Sequence, residues 1–101
     1  MNTSNIHVFA KWQVKKGQTE KVLALLKTAA EESRKEKRNL FYQVHQSITE
    51  PDTIILFEGY TDEAALNEHR SSTHFQEIVL GQIVPLLEKR EVILTTPLDQ
   101  K

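Results

Sequence analysis

Three side chains in the second half of the chain carry groups that can move a proton: Glu58, His69 and His74. The stretch 66–75 has the sequence LNEHRSSTHF, with the two imidazoles five residues apart around a Ser-Ser-Thr run. Imidazole changes charge near physiological pH more readily than any other side chain. The hydroxyl groups between the rings are typical helix caps, so we expect one helix to end after His69 and another to begin before His74. The electropositive start of that second helix should keep His74 neutral.

Alternating residues and turn signals predict the elements that position these groups. Asp62 is placed to cap a helix, and Thr73 and Gln76 have the spacing of a capping box for the next one. Strands are predicted at residues 6–14, 40–47, 53–60 and 91–96, and helices at about 19–33, 62–70 and 73–89. This β-α-β-β-α-β order, with the second helix in two pieces, predicts an α+β fold with a ferredoxin-like antiparallel sheet.

The alternation of side chains along each predicted strand indicates which polar groups face the helices. Tyr42, Glu58 and Tyr60 share the helix-facing side with Trp12, and a carboxylate in mid-sheet is costly to bury without a partner. Polar and aromatic groups beneath a bent helix are typical of a small-molecule pocket. We therefore expect catalytic roles for His69, His74 and Glu58, and substrate binding by Trp12, Tyr42, Tyr60 and Phe75.

Simpler interpretations of the same residues remain open. Either imidazole can fill space or cap backbone groups, and Glu58 can pair with a cation or lie near a hydrated strand end. No metal site is predicted, because His69 and His74 lack the i, i+4 spacing of a helical ligand pair.

Both faces of the predicted sheet are apolar, which is unusual for a sheet with helices on one side only. The core face is predicted to carry Val8, Trp12, Leu40, Val44, Leu56 and Leu94. The opposite face carries Phe9, Phe41, Ile55, Phe57 and Ile93. Monomers rarely expose so large an apolar patch. We therefore expect a homodimer in which this second face packs against its copy around a two-fold axis.

The composition limits the remaining classes of function. A chain of 101 residues is one domain, spanning 1–101, and with no cysteine it has neither disulfides nor thiolate chemistry. The first residues lack the pattern of a signal peptide, and no apolar stretch approaches the roughly 20 residues of a membrane span. We therefore expect a cytoplasmic protein with no membrane partner.

Nucleic-acid binding is the main alternative that the charge distribution raises. Residues 1–38 hold nine of the thirteen basic groups and four of the fourteen acidic ones. The basic run near residues 34–38 is also what a solvated helix end needs, because cations suit the negative end of the helix dipole. The third strand, TIILFEGY, lacks the basic-Gly-aromatic signature of RNA-recognition modules, and acidic residues surround it. We predict no nucleic-acid partner.

Two segments resemble a known family. FAKWQVKKGQTEKVLALL and FEGYTDEAALNEHRSSTHFQ are similar to the antibiotic biosynthesis monooxygenase (ABM) domain superfamily, and the likeness covers nearly the whole chain. The shared pattern is a strand ending in a Val-Lys-x-Gly turn, a Leu-rich helix, and a Glu-x-aromatic leading into a His, a small-residue break and His-Phe. The resemblance implies a dimeric ferredoxin-like α/β barrel. It also implies a quinol-type monooxygenase that needs no cofactor and acts with dioxygen on a small quinol-like or polyphenolic substrate.

The resemblance leaves other activities open. Related proteins isomerise or degrade small signalling metabolites, and a non-catalytic dimeric module that only binds a small ligand is a further alternative. The haem-degrading branch has Asn, Trp and His where this chain has Ala10, Tyr60 and Val79, so haem degradation is not expected. Within the quinol-type branch, Glu58, His69 and His74 match recurring positions.

Overall fold

The computed structural model describes residues 4–98 as four strands and a helical layer. The strands are β1 (Ile6–Val14), β2 (Asn39–Gln46), β3 (Thr53–Tyr60) and β4 (Leu87–Thr95). The helical elements are α1 (Thr19–Arg34), α2 (Glu63–Ser71), a π-helix (Phe75–Ile83) and a 3-10 turn (Val84–Leu86).

The four strands form one antiparallel sheet in the order β2-β3-β1-β4. The predicted ferredoxin-like β-α-β-β-α-β fold is thus confirmed, including the division of the second helical segment into two pieces. The register places Glu58 opposite both Val8 on β1 and Tyr42 on β2. These three side chains therefore share the face of the sheet that the helices cover.

The core lies on the helix-covered face of the sheet. The apolar residues of α1 recur every third or fourth position, and the strands direct every second side chain toward them. Val22, Leu26, Ala29 and Ala30 follow the buried stripe of α1. They pack against the buried strand residues Ala10, Trp12, Val14, Tyr42, Ile54 and Leu56. Asp62 caps α2 as predicted, since its Oδ1 accepts a hydrogen bond of 2.8 Å from the backbone N–H of Ala65.

Three predictions about the last helical segment and the strand after it are wrong. The segment ends at Leu86 rather than near Lys89, and β4 begins at Leu87, four residues before the predicted start. Pro85 lacks a backbone N–H, and the chain leaves the helical conformation two residues after it. The cap after the break is Ser72 rather than Thr73, because the Ser72 hydroxyl accepts a hydrogen bond of 3.2 Å from the Phe75 N–H.

Two residues predicted in the core are exposed. Leu40 lies where the pairing of β2 with β3 is irregular, between Asn39 and Phe41, and its side chain is 46% exposed. Leu94 faces the helical side of the sheet and is nevertheless 50% exposed, because β4 makes extensive contacts only with β1. The helical layer therefore leaves the helix-facing side of the edge strand β4 uncovered near Leu94.

The open face of the sheet carries an aromatic cluster formed by His7, Phe9, Phe41 and Phe57. The rings of Phe9 and Phe57 stack with centroids 4.7 Å apart, and Phe41 lies 4.6 Å from Phe57. Phe41 can approach the backbone because Gly59 has no side chain, and a Cβ there would lie 2.4 Å from the Phe41 ring. The cluster remains partly exposed, with Phe9 41% and the neighbouring Ile93 59% accessible.

Candidate active site

The candidate site is organised around a carboxylate that the sheet holds beneath the helices. Glu58 is 6% exposed, and its position in β3 follows from strand alternation, which directs every second side chain toward the helical layer. The fully buried Tyr60, two residues on, points the same way and donates a hydrogen bond of 2.8 Å to Glu58 Oε1. This bond offsets part of the cost of burying the carboxylate.

Two histidines meet at a second carboxylate, Glu36, which lies just beyond the end of α1. The Nδ1 atom of His69 is 2.9 Å from Glu36 Oε2, and the Nε2 atom of His74 is 2.6 Å from the same oxygen. Because a carboxylate only accepts hydrogen bonds, each ring donates its N–H to Glu36. The second nitrogen of His69, Nε2, lies 3.8 Å from Glu58 Oε1.

The geometry of the helical break explains how both rings reach one oxygen. His69 is in the last turn of α2, where Ser72 donates a hydrogen bond of 2.6 Å to its backbone carbonyl. The same Ser72 hydroxyl caps the following turn, which contains His74 and leads into the π-helix. Such wide helices are rare and are often found at functional sites.

A cavity lies between the sheet and the bent helical segment, with about 440 Å³ of space that includes its opening to solvent. Its walls combine apolar, aromatic and ionisable side chains from every strand and from both helical pieces. The lining residues are Val8, Ala10, Trp12, Tyr42, Glu58, Leu66, His69, Arg70, Phe75, Val79, Arg90 and Val92.

Burial changes the acidity of the polar groups around this cavity. It raises the pKa of Glu58 above its ordinary value, and the attraction of His69 and the hydrogen bond from Tyr60 oppose that rise. Burial also raises the pKa values of Tyr42 and Tyr60, and the nearby Glu58 charge raises both further. Both tyrosines therefore keep their protons, and Tyr60 uses its proton in the hydrogen bond to Glu58.

The structure brings all seven predicted site residues into one region, but not all of them line the cavity. Glu58, His69, Trp12, Tyr42 and Phe75 line it. The Tyr60 ring lies 5.1 Å from that of His69, and its hydroxyl is bound to Glu58. His74 likewise lies behind His69, on the side of Glu36.

Three charged residues of this region were missed by the sequence analysis: Glu36, Arg70 and Arg90. Glu36 belongs to a charged run that is typical of a solvated helix end, and nothing in the pattern links it to the histidines. Arg70 follows His69 directly, and Arg90 falls in a segment that was predicted to join the last helix to the last strand. The only available signal was that Arg70 adjoins a residue already selected.

Glu36, His69 and His74 are also the residues that could hold a metal ion. Each offers one donor atom, and the three atoms lie within 4.8 Å of one another. Two imidazoles and a carboxylate are ligands that zinc and iron accept. The distances from Glu36 to the two rings are those of ordinary hydrogen bonds, which explain the grouping without a metal.

Comparison with known proteins agrees with this architecture. Residues 5–79 match the sequence model of the family described as antibiotic biosynthesis monooxygenase. The chain belongs to this family. The relative "Putative monooxygenase YcnE" of Bacillus subtilis is 30% identical over 87 residues, which cover 86% of this chain and 83% of that protein.

Two solved structures resemble this chain over more than nine tenths of its length. A conserved protein from Methanosarcina mazei is 32% identical, with a TM-score of 0.86 and 92% of each chain covered. Rv0793 from Mycobacterium tuberculosis is 28% identical, with a TM-score of 0.89 over 96% of this chain and 98% of that one. Within residues 4–98, no helix is both long enough and apolar enough to cross a membrane.

Replacing Glu58 with Gln should remove a pH-dependent part of the stability. Because burial raises the pKa of Glu58 above 4.5, the folded chain binds this proton more tightly than the unfolded chain. This contribution to the free energy of unfolding is complete below the pKa that Glu58 has in the unfolded chain. It is lost as the pH rises through the pKa that Glu58 has in the folded chain. Urea denaturation at a series of pH values should show the native chain losing stability relative to Glu58→Gln above about pH 4.5. A difference that stays constant with pH would contradict this assignment.

Proposed function

We propose that this ABM-family protein is a cofactor-independent monooxygenase that oxidises a small quinol-like or polyphenolic substrate with dioxygen. The observation that carries the proposal is the placement of His69. Its Nδ1 is bound to Glu36, and its other nitrogen lies 3.8 Å from Glu58 in the wall of the cavity. A histidine held in this way is suited to act as a general base.

The hydrogen bond to Glu36 determines which nitrogen can take a proton. When Nδ1 of the neutral ring carries the hydrogen, Nε2 has a free lone pair and accepts. A substrate hydroxyl in the cavity can donate its hydrogen bond to His69 Nε2, and the Glu58 carboxylate, 3.8 Å from that nitrogen, can stabilise the positive charge that the ring then acquires. In that position the hydroxyl gives its proton to His69 and leaves an electron-rich phenolate.

The other site residues take supporting roles in this proposal. Trp12, Tyr42 and Phe75 form cavity walls that can hold an aromatic ring. Tyr42 keeps its proton and can donate to a substrate oxygen. Tyr60 fixes Glu58, and His74 helps to fix Glu36, so both act on the reaction through their neighbours.

The proposed reaction balances without an external reductant. A quinol and dioxygen give a hydroxyquinone and water. One oxygen atom forms a new bond to ring carbon, and the other leaves as water with two hydrogens from the substrate. All four electrons that reduce dioxygen come from the substrate. This is why deprotonation, which makes the ring a better electron donor, is the step that the protein needs to assist.

Replacing His69 with Ala should lower the rate of oxygen consumption with a responsive hydroquinone by about 10²- to 10⁴-fold, the usual contribution of a general base. His74→Ala should cause a smaller loss, because Glu36 still holds His69. The measurement is oxygen uptake by chelator-treated protein, with the mass of the product as a second readout. His45→Ala is the matched control, because His45 is an exposed histidine on β2, outside the cavity lining.

The same assay separates the alternatives. A product of unchanged mass would indicate an isomerase, and binding without turnover would indicate a ligand-binding module. No oxygen uptake with any hydroquinone of a panel, or an unchanged rate in His69→Ala, would contradict the proposed monooxygenase.

The open sheet face supports a homodimer as the working form. Phe9, Phe41, Ile55, Phe57 and Ile93 remain partly or largely exposed on that face. Burying one large apolar side chain contributes roughly 1.5–3 kcal/mol. A two-fold contact would place each copy of the patch against the same patch on the other copy.

Sedimentation equilibrium should therefore give a dimer for the native chain. Ile93→Lys should weaken the association at least tenfold, because it places a charge in an apolar contact. Ile48→Lys is the control, since Ile48 is 98% exposed in the turn between β2 and β3 and lies outside the sheet. A monomeric native chain, or an Ile93→Lys variant that associates normally, would contradict the dimer.

A further inference from the structure

Two of the twelve cavity-lining residues are arginines, and they approach from different elements. Arg70 belongs to α2 and is half-buried, whereas Arg90 belongs to β4 and is exposed. The register places Arg90 opposite Trp12, on the helix-facing side of the sheet. The pair therefore brings two positive charges to a cavity whose other walls are mostly apolar and aromatic.

Neither guanidinium is occupied by another part of the described chain. Among residues 4–98, the side chains of Arg70 and Arg90 donate no hydrogen bond and have no carboxylate within ion-pair distance. The other two arginines of the sequence are both engaged. Arg34 donates to the Tyr42 carbonyl, and Arg38 pairs with Asp62 and Glu68.

The two arginines differ in their distance from the proton-transfer groups. Arg70 directly follows His69 in α2, and its side chain lines the same cavity as His69 and Glu58. On the sheet, the backbone of Arg90 is displaced from that of Glu58 by four residues along the strands, which is about 14 Å. It is also two strands away across the sheet, which is about 10 Å. A ligand between them would have one end at His69 and Glu58 and its remainder directed toward the uncovered edge at β4.

We propose that Arg70 and Arg90 form an anion-binding subsite, and that the substrate is a phenolic or quinol ring bearing a carboxylate. The subsite rests on the proposed function for the identity of the ring, but not for the anionic group. Guanidinium groups bind carboxylates through parallel hydrogen bonds, and a partly desolvated cavity strengthens such bonds.

The test compares the binding of 2,5-dihydroxybenzoate with that of its methyl ester, in the absence of oxygen. Calorimetry gives the affinities, and quenching of Trp12, the only tryptophan of the chain, reports whether the ligand enters this cavity. The acid should bind at least tenfold more tightly than the ester. Arg70→Gln and Arg90→Gln should each weaken binding of the acid about tenfold or more, as expected for a hydrogen bond between charged groups, and leave the ester unaffected.

Lys89→Gln is the charge-matched control. It removes one positive charge next to Arg90 but on the opposite face of the sheet, and it should leave both affinities unchanged. Equal binding of acid and ester, an equal effect of Lys89→Gln, or no binding of either compound would overturn the subsite. A preference for the acid, together with no oxygen uptake for any hydroquinone of the panel, would leave the subsite standing and contradict the proposed monooxygenase.

Discussion

One carboxylate oxygen, Glu36 Oε2, determines how the site is arranged. It lies 2.9 Å from His69 Nδ1 and 2.6 Å from His74 Nε2, and so ties the end of α1 to both sides of the break between α2 and the π-helix. Without this shared acceptor, two imidazoles from different helical pieces would have no common partner. With it, His69 is oriented so that its other nitrogen faces Glu58 and the cavity. These two long-range hydrogen bonds connect the packing of the helices to the chemistry of the site.

The second constraint is the burial of Glu58. A carboxylate in mid-sheet requires hydrogen-bond partners, and the structure provides Tyr60 directly and His69 at a longer distance. The distance of 3.8 Å between His69 Nε2 and Glu58 Oε1 exceeds a hydrogen bond, so this nitrogen is free to accept a proton from a substrate. Glu58 and His69 are therefore buried in the cavity wall, whereas Arg90, on the edge strand β4, is exposed. This division suits a ligand with an acidic hydroxyl at one end and an anionic group at the other.

Most of the fold could be predicted because strand alternation is a local property. The same alternation correctly placed Trp12, Tyr42, Glu58 and Tyr60 on the helix-facing side. The errors arose where local pattern and tertiary structure diverge. An irregular strand pairing exposes Leu40, and the lack of a helix over β4 exposes Leu94.

The candidate site could be predicted only in part, for a related reason. Both histidines were selected by their type and by the break between them. Glu36 could not be, because it is 33 and 38 residues away from them in the chain and is brought to them only by helix packing. Arg90 was not predicted because the helix was expected to continue past Pro85 to about residue 89. Arg90 was therefore placed in a connection and not in β4, where it faces the helices. Such contacts depend on tertiary structure and leave no periodic signal in the sequence.

The role of His69 as a general base is tested most directly by the tautomer of its neutral ring, observed in two-bond ¹⁵N–¹H correlation spectra of the labelled side chain. We expect Nδ1 to carry the hydrogen, bound to Glu36, and Nε2 to be unprotonated and able to accept a proton from a substrate. A neutral ring with its hydrogen on Nε2 would contradict this role, because the nitrogen facing the cavity would then have no lone pair available.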